Sequence, residues 1–410
     1  MSLRTGVWIA AASLAAGLSC AEERATVTGK VVDANGQPVE HATVMVYSAG
    51  VKKGYSAYCP TCWADCGKHG LTDGDGNFTI GGLNPDLLFT LLAVREGYSA
   101  AYIPKVDPAK GPAERAALKP RAPVEDASQV VRGRVVNAHG RPLRDTVVEQ
   151  QGIKRRFENG GEGMTFGGGN DWIDQISVTN ENGEFEMAYS KSAIQMFLLV
   201  TARGMAPKLF TESTGGDRKL MTVADGATLR GRLVQDGKPV ANAEIGLSSH
   251  TRRSGASYPE VRIGTREDGT FAITNVPAGR IWIVYPKMES LAARNIGAGA
   301  VECETKDDGQ EVDLGDIPVK PAFTLRGRVV LSDVAAVPPD MHVTLAADKA
   351  WDSQIAPIAP DGHFEFRGLA PGVYTLAPAV RGYRPPEGFG EMLVQHDVPD
   401  LQIRMERAAR

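Results

Sequence analysis

The residues best suited to chemistry lie in one short segment, Tyr58-Cys59-Pro60-Thr61-Cys62-Trp63-Ala64-Asp65-Cys66-Gly67-Lys68-His69. Cys59, Cys62, Cys66 and His69 offer three thiolates and an imidazole, a ligand number and softness that zinc or copper(I) accepts. Their C-x-x-C-x-x-x-C-x-x-H spacing is not that of a standard zinc finger. Cys59-Pro60-Thr61-Cys62 also has the form of a thiol–disulfide exchange pair. A c-type haem needs His directly after the second cysteine, and Trp63 stands there instead. Two further cysteines, Cys20 and Cys303, lie far from this segment.

Which of these chemistries applies depends on the compartment, and the N-terminus speaks to that. Residues 1–21 read as an export signal, with Arg4 in a short basic region, an apolar stretch from Val7 to Leu18 and small residues at Ser19-Cys20-Ala21. Cleavage after Ser19 would leave Cys20 for a lipid anchor, and cleavage after Ala21 would release a soluble chain. Gly17 occupies the position where a lipobox has Leu. Beyond Ala21 no stretch is long and apolar enough to span a membrane. In an oxidising compartment close cysteines pair. A structural disulfide inside the segment, Cys62 to Cys66 first, with Cys59 and Cys303 as further candidates, therefore ranks ahead of a metal set of Cys59, Cys62, Cys66 and His69. Redox exchange ranks behind both. Tyr58 and Trp63 then read as an apolar lid over the bridge.

Other candidates are weaker. Residues 159–172, N-G-G-E-G-M-T-F-G-G-G-N-D-W, are glycine-rich but lack the G-K-[ST] ending of a phosphate-binding loop, and read as a long loop whose Phe166 and Trp172 offer a contact surface. Asp73, Asp75, Asn77, Glu267, Asp268 and Asp361 carry oxygen ligands that calcium prefers, yet Asp and Gly are what tight turns need in any case. The seven histidines form no H-x-x-E or H-E-x-x-H pair, and no G-x-S-x-G is present. No catalytic set and no cofactor site is expected, and a net charge of −4 without a basic run argues against nucleic-acid binding.

The elements that position these residues come from repetition. Gly29-Lys30-Val31-Val32, Gly133-Arg134-Val135-Val136, Gly231-Arg232-Leu233-Val234 and Gly327-Arg328-Val329-Val330 start successive copies. Each copy closes with a turn phrase: T-D-G-D-G-N-F-T-I (72–80), T-N-E-N-G-E-F-E-M (179–187), T-R-E-D-G-T-F-A-I (265–273) and P-D-G-H-F-E-F (360–366). The spacing of about 100 residues fits whole domains rather than solenoid repeats. Short alternating strands bounded by Gly, Pro, Asn and Asp predict an all-β chain of antiparallel sandwiches. The opening phrase and the turn phrase each read as a hairpin. Residues 87–94 and 196–202, almost continuously apolar, read as central strands. The expected layout is domains at 24–105, 128–224, 225–320 and 321–407. A Pro- and Ala-rich linker at 106–127 would hinge the first domain to a semi-rigid rod of the other three.

These phrases, together with P-G-V-Y-T-L (371–376), resemble the carboxypeptidase regulatory-like domain, a family similar to transthyretin, to the B-type repeats of bacterial collagen-binding surface proteins and to carbohydrate-binding-like sandwiches. The resemblance implies a seven-stranded Greek-key, prealbumin-like sandwich per domain. It implies the accessory domain only, without the peptidase. The self-formed Lys–Asn bond of the B-type repeats is not expected in the fourth copy, where Ala377 stands after Y-T-L in place of Glu. The leading expectation is a non-catalytic, exported bacterial structural or binding module at the cell envelope, with a protein or glycan partner. Glycan binding through Trp172, Tyr258 and Trp351 is one alternative, and a metal- or redox-active cysteine loop the other.

Overall fold

The computed structural model describes residues 24–54, 56, 58, 60–61, 63–166, 172–249 and 261–408. The first unit is built from β1 (Ala25–Asp33), β2 (Thr43–Val51), β3 (His69–Leu71), β4 (Asn77–Leu83), β5 (Leu87–Val94), β6 (Tyr98–Ser99), β7 (Ala101–Val106) and β8 (Ala116–Pro120). One sheet runs β4-β1-β8-β6 and the other β3-β2-β5-β7. Only the β1–β8 pairing is parallel, which closes a Greek key. Val27, Val31, Phe78, Ile80, Phe89 and Leu91 meet between the sheets with almost no exposure. Strand alternation puts these side chains on the inner face.

The same wiring recurs downstream. Val130–Val136, Ala227–Gln235 and Phe323–Leu331 each take an antiparallel neighbour from the strand after the turn phrase and a parallel neighbour from the last strand of the unit. Three more apolar cores result, around Val131 and Leu198, around Leu229 and Trp282, and around Leu325 and Phe366.

The repeated letters have direct steric causes. Gly29, Gly133, Gly231 and Gly327 lie beneath the rings of Phe78, Phe185, Phe271 and Phe364, where an added Cβ would stand 2.5, 2.3, 2.6 and 2.4 Å from the ring. Glycine is the residue that lets the aromatic ring close against the strand. In the turn phrases Gly76, Gly183, Gly269 and Gly362 take φ of 77°, 74°, 77° and 91°, a region costly for any residue with a Cβ. The first three units also share a buried threonine. Thr72, Thr179 and Thr265 donate to the carbonyls of Val39, Leu143 and Val240 and accept from the N–H groups of Ala42, Thr146 and Ala243. Ile358 takes that place in the fourth unit, where the corresponding link is its own N–H to the Met341 carbonyl.

Two sequence expectations are corrected. The turn phrase is not a hairpin: β3 pairs with β2 and β4 with β1, so residues 72–76 carry the chain across the edge of the sandwich. Asp73 Oδ1 shapes that crossover by accepting from the N–H groups of Asp75 and Asn77. The opening phrase does turn back on itself: the Asp33 and Val39 N–H groups bond the Gln37 and Val31 carbonyls, and in the third unit Val234 and Gln235 pair antiparallel with Pro239 and Lys238. Finally, residues 106–127 are not a free linker. Ala116 and Leu118 are buried in the first core, so Ala116–Pro120 forms the closing strand of that unit.

The hinge disappears for a related reason. Leu92 of β5 and Met45 of β2 point away from the first core and meet Val147 of the second unit, with Val94, Ile176 and Val178 around them. This second buried face explains why residues 87–94 are apolar without alternation.

Candidate functional site

Among the described residues, those singled out for chemistry do not converge. Cys20, Cys59, Cys62 and Tyr258 lie outside the described residues. Cys66 is buried in the first core, its Sγ 3.3 Å from the Pro60 carbonyl. His69 sits exposed on β3, with Nδ1 3.2 Å from the Gly67 carbonyl. Among the described residues no three His, Cys, Asp or Glu side chains form a metal-ligand group. Cys303 is a free, half-buried thiol on Val301–Thr305, opposite Trp282 of the third unit. Burial, with Glu302 beside it, pushes this thiol up to about 11, so it is not a ready nucleophile.

The aromatic candidates turn inward. Trp172 bridges to Tyr189, the rings meeting edge to face at 6.0 Å against the second core. Trp351 packs with Ile283, Tyr285 and Ala350 between the third and fourth units, and the Tyr285 hydroxyl donates to its carbonyl at 3.1 Å. Both rings are half-buried. Phe166 remains exposed and stacks on Phe197 at 5.0 Å.

Charge and hydrogen bonding concentrate instead where the units meet. The described residues include four buried charged side chains, Asp65, Asp174, Lys287 and Asp352. Asp174 receives Arg121, which arrives on the segment leaving the first unit and binds through Nε at 2.7 Å and Nη2 at 2.5 Å. The Ala188 N–H completes that carboxylate at 2.9 Å, and Glu186 draws both Arg121 and Arg132. Hydrogen bonding to Asp174 raises the Arg121 pKa, so its charge is fixed. This network lines a cleft of about 940 Å³ between the first two units, together with His41, His69, Arg144, Glu184 and Arg218. On the other side of the same junction Tyr102 donates to Glu149 at 3.4 Å and its ring leans on Tyr47 at 5.2 Å. Burial pushes the Glu149 carboxyl and both phenols upward.

The junction of the third and fourth units is drier. Lys287 Nζ lies 3.0 Å from Asp352 Oδ1, both side chains at most 5% exposed. Asp352 Oδ2 accepts from the Met288 N–H at 2.8 Å and so caps the short helix Met288–Ala292. The Met288 side chain enters the fourth core. Between the second and third units Asn275, at φ 57°, donates to the carbonyls of Gly204 and Asp225 at 2.9 and 2.8 Å.

No helix among the described residues is long and apolar enough to cross a membrane. Residues 26–119 match the family model of the carboxypeptidase regulatory-like domain. No curated protein matches the chain. Among solved structures it is similar to the Bacillus anthracis TIE protein, with 11% identity, 94% of this chain and 75% of that one covered, and a TM-score of 0.21. A streptococcal ancillary pilin is 12% identical, with 68% and 100% covered and a TM-score of 0.23. GBS52, a minor pilin of Streptococcus agalactiae, is 12% identical, with 45% and 98% covered and a TM-score of 0.23.

Proposed function

We propose that this chain is a non-catalytic scaffold, exported by a bacterium, in which four tandem β-sandwich domains at 24–120, 128–224, 225–320 and 321–407 are held in a fixed arrangement. It presents a binding surface for a protein or glycan at the cell envelope. The observation that carries this reading is the placement of buried charge: Asp174, Lys287 and Asp352 all serve contacts between units. A buried charge is costly unless paired, and these pairs hold one unit against the next. Export rests on residues 1–21, and the choice between a lipid on Cys20 and release after Ala21 is open to intact-mass measurement of the secreted chain. The reading is tested by assaying purified protein against broad peptide and polysaccharide panels. No turnover is expected, and hydrolysis abolished by one substitution would overturn it.

A further inference from the structure

Residues 52–68 form the insert between β2 and β3, and its described residues reach two other units. Its Ala64 carbonyl accepts from Arg203 Nη2 of the second unit at 3.1 Å, and the Arg203 side chain lies over Gly67. Its Ser56 carbonyl accepts from the N–H of Gly264 in the third unit. Gly264 ends Val261–Gly264, the edge strand of its sheet. An edge strand exposes unpaired backbone groups, so a foreign carbonyl on that edge is both a bond and a cover.

The insert is braced to make these contacts. Trp63 Nε1 donates to Ser56 Oγ at 3.2 Å, and the Tyr58 and Trp63 rings meet edge to face at 5.0 Å. The Pro60 carbonyl accepts from the Ala49 N–H at 2.8 Å, and Gly67 N–H and Lys68 carbonyl pair with Val46. Asp65, at 2% exposure, binds Lys68 and accepts from the Asn84 N–H at 3.0 Å. Such prior ordering lowers the entropy lost when a loop docks.

We infer that the insert is an intramolecular clasp that docks the first unit onto both the second and the third, bonding the edge strand of the third. The chain is then folded back across three units rather than strung out as a rod. This rests on the scaffold reading, since a clasp has a role only if the arrangement of units matters. The failures are separable: loss of the scaffold reading would show as turnover, and loss of the clasp as unchanged backbone exchange.

The test is hydrogen exchange on the full exported chain, read in peptides covering Val261–Gly264. Replacing residues 55–64 with a short Gly-Ser turn is expected to speed exchange there about tenfold, the scale of one lost hydrogen bond, with the third core unchanged. Unchanged exchange would overturn the clasp. Should that variant lose the fold of the first unit, Arg203→Ala decides. It leaves the insert intact and is expected to speed exchange at Val261–Gly264 about two- to fivefold by loosening one tie. No change in that variant would also overturn the proposal.

Discussion

The junction between units one and two and the junction between units three and four solve one problem by different means. The first spreads its contact over an apolar patch of Met45, Leu92 and Val147, flanked by a half-buried Tyr47–Tyr102–Glu149 group and by an Arg121–Asp174 pair whose arginine is 25% exposed. The second concentrates it in a dry Lys287–Asp352 pair and a methionine that enters the neighbouring core. The contrast teaches that a junction carrying polar groups with access to solvent tolerates loss of one of them, whereas a desolvated pair does not.

Breaking the dry junction has the largest expected effect. Asp352→Ala leaves Lys287 buried without its carboxylate and removes the cap from Met288–Ala292. A loss of about 3–5 kcal/mol is expected, seen as early unfolding of the fourth unit in a urea titration. Met288→Ala empties part of the fourth core from outside its own unit and should cost about 2–5 kcal/mol. It separates packing from charge at the same place. Asp174→Ala at the wetter junction should cost about 1.5–3 kcal/mol, the range for hydrogen bonds to charged groups. If it matched or exceeded Asp352→Ala, the contrast between the junctions would be lost.

The smallest effect concerns pH. Burial raises the Glu149 carboxyl above its ordinary value, with the hydrogen bond from Tyr102 opposing the shift. The native state therefore holds this proton more tightly than the unfolded state, and the group's contribution to stability grows as pH falls through the raised value. The exposed carboxylates with lowered values, Asp73 and Asp361 among them, act in the opposite sense. The comparison is thus wild type against Glu149→Gln: the wild type should gain on the variant as pH falls from neutral toward the ordinary carboxylate range. An unchanged difference across that window would show that Glu149 is solvated.

Much of the sandwich was legible because its repeated letters are steric requirements. Gly29 beneath Phe78 and Gly76 at positive φ cannot be replaced cheaply, so the phrases recur and reveal the units. The junctions were less legible, since a residue facing a neighbouring unit looks in sequence like one facing water. A signal did exist: Trp172-Ile173-Asp174 and Trp351-Asp352 each set a tryptophan beside a carboxylate. Each of those rings is half-buried and lies within two residues of a buried carboxylate. Residues 106–127 read as a linker because Ala116 and Leu118 give only a weak alternation among prolines and charges. The cysteine segment gave no hint of its reach, because the Ser56 and Ala64 carbonyls that contact other units are backbone groups, which residue type does not encode.

Fixed geometry between the units is the central claim, and small-angle X-ray scattering of the chain tests it most directly. One arrangement of the units should reproduce the scattering curve, little changed from about 0.05 to 0.5 M salt because the main ties, the Lys287–Asp352 pair and the Met45–Leu92–Val147 patch, are buried. A curve that required many arrangements of the units, or one that expanded with salt, would contradict it.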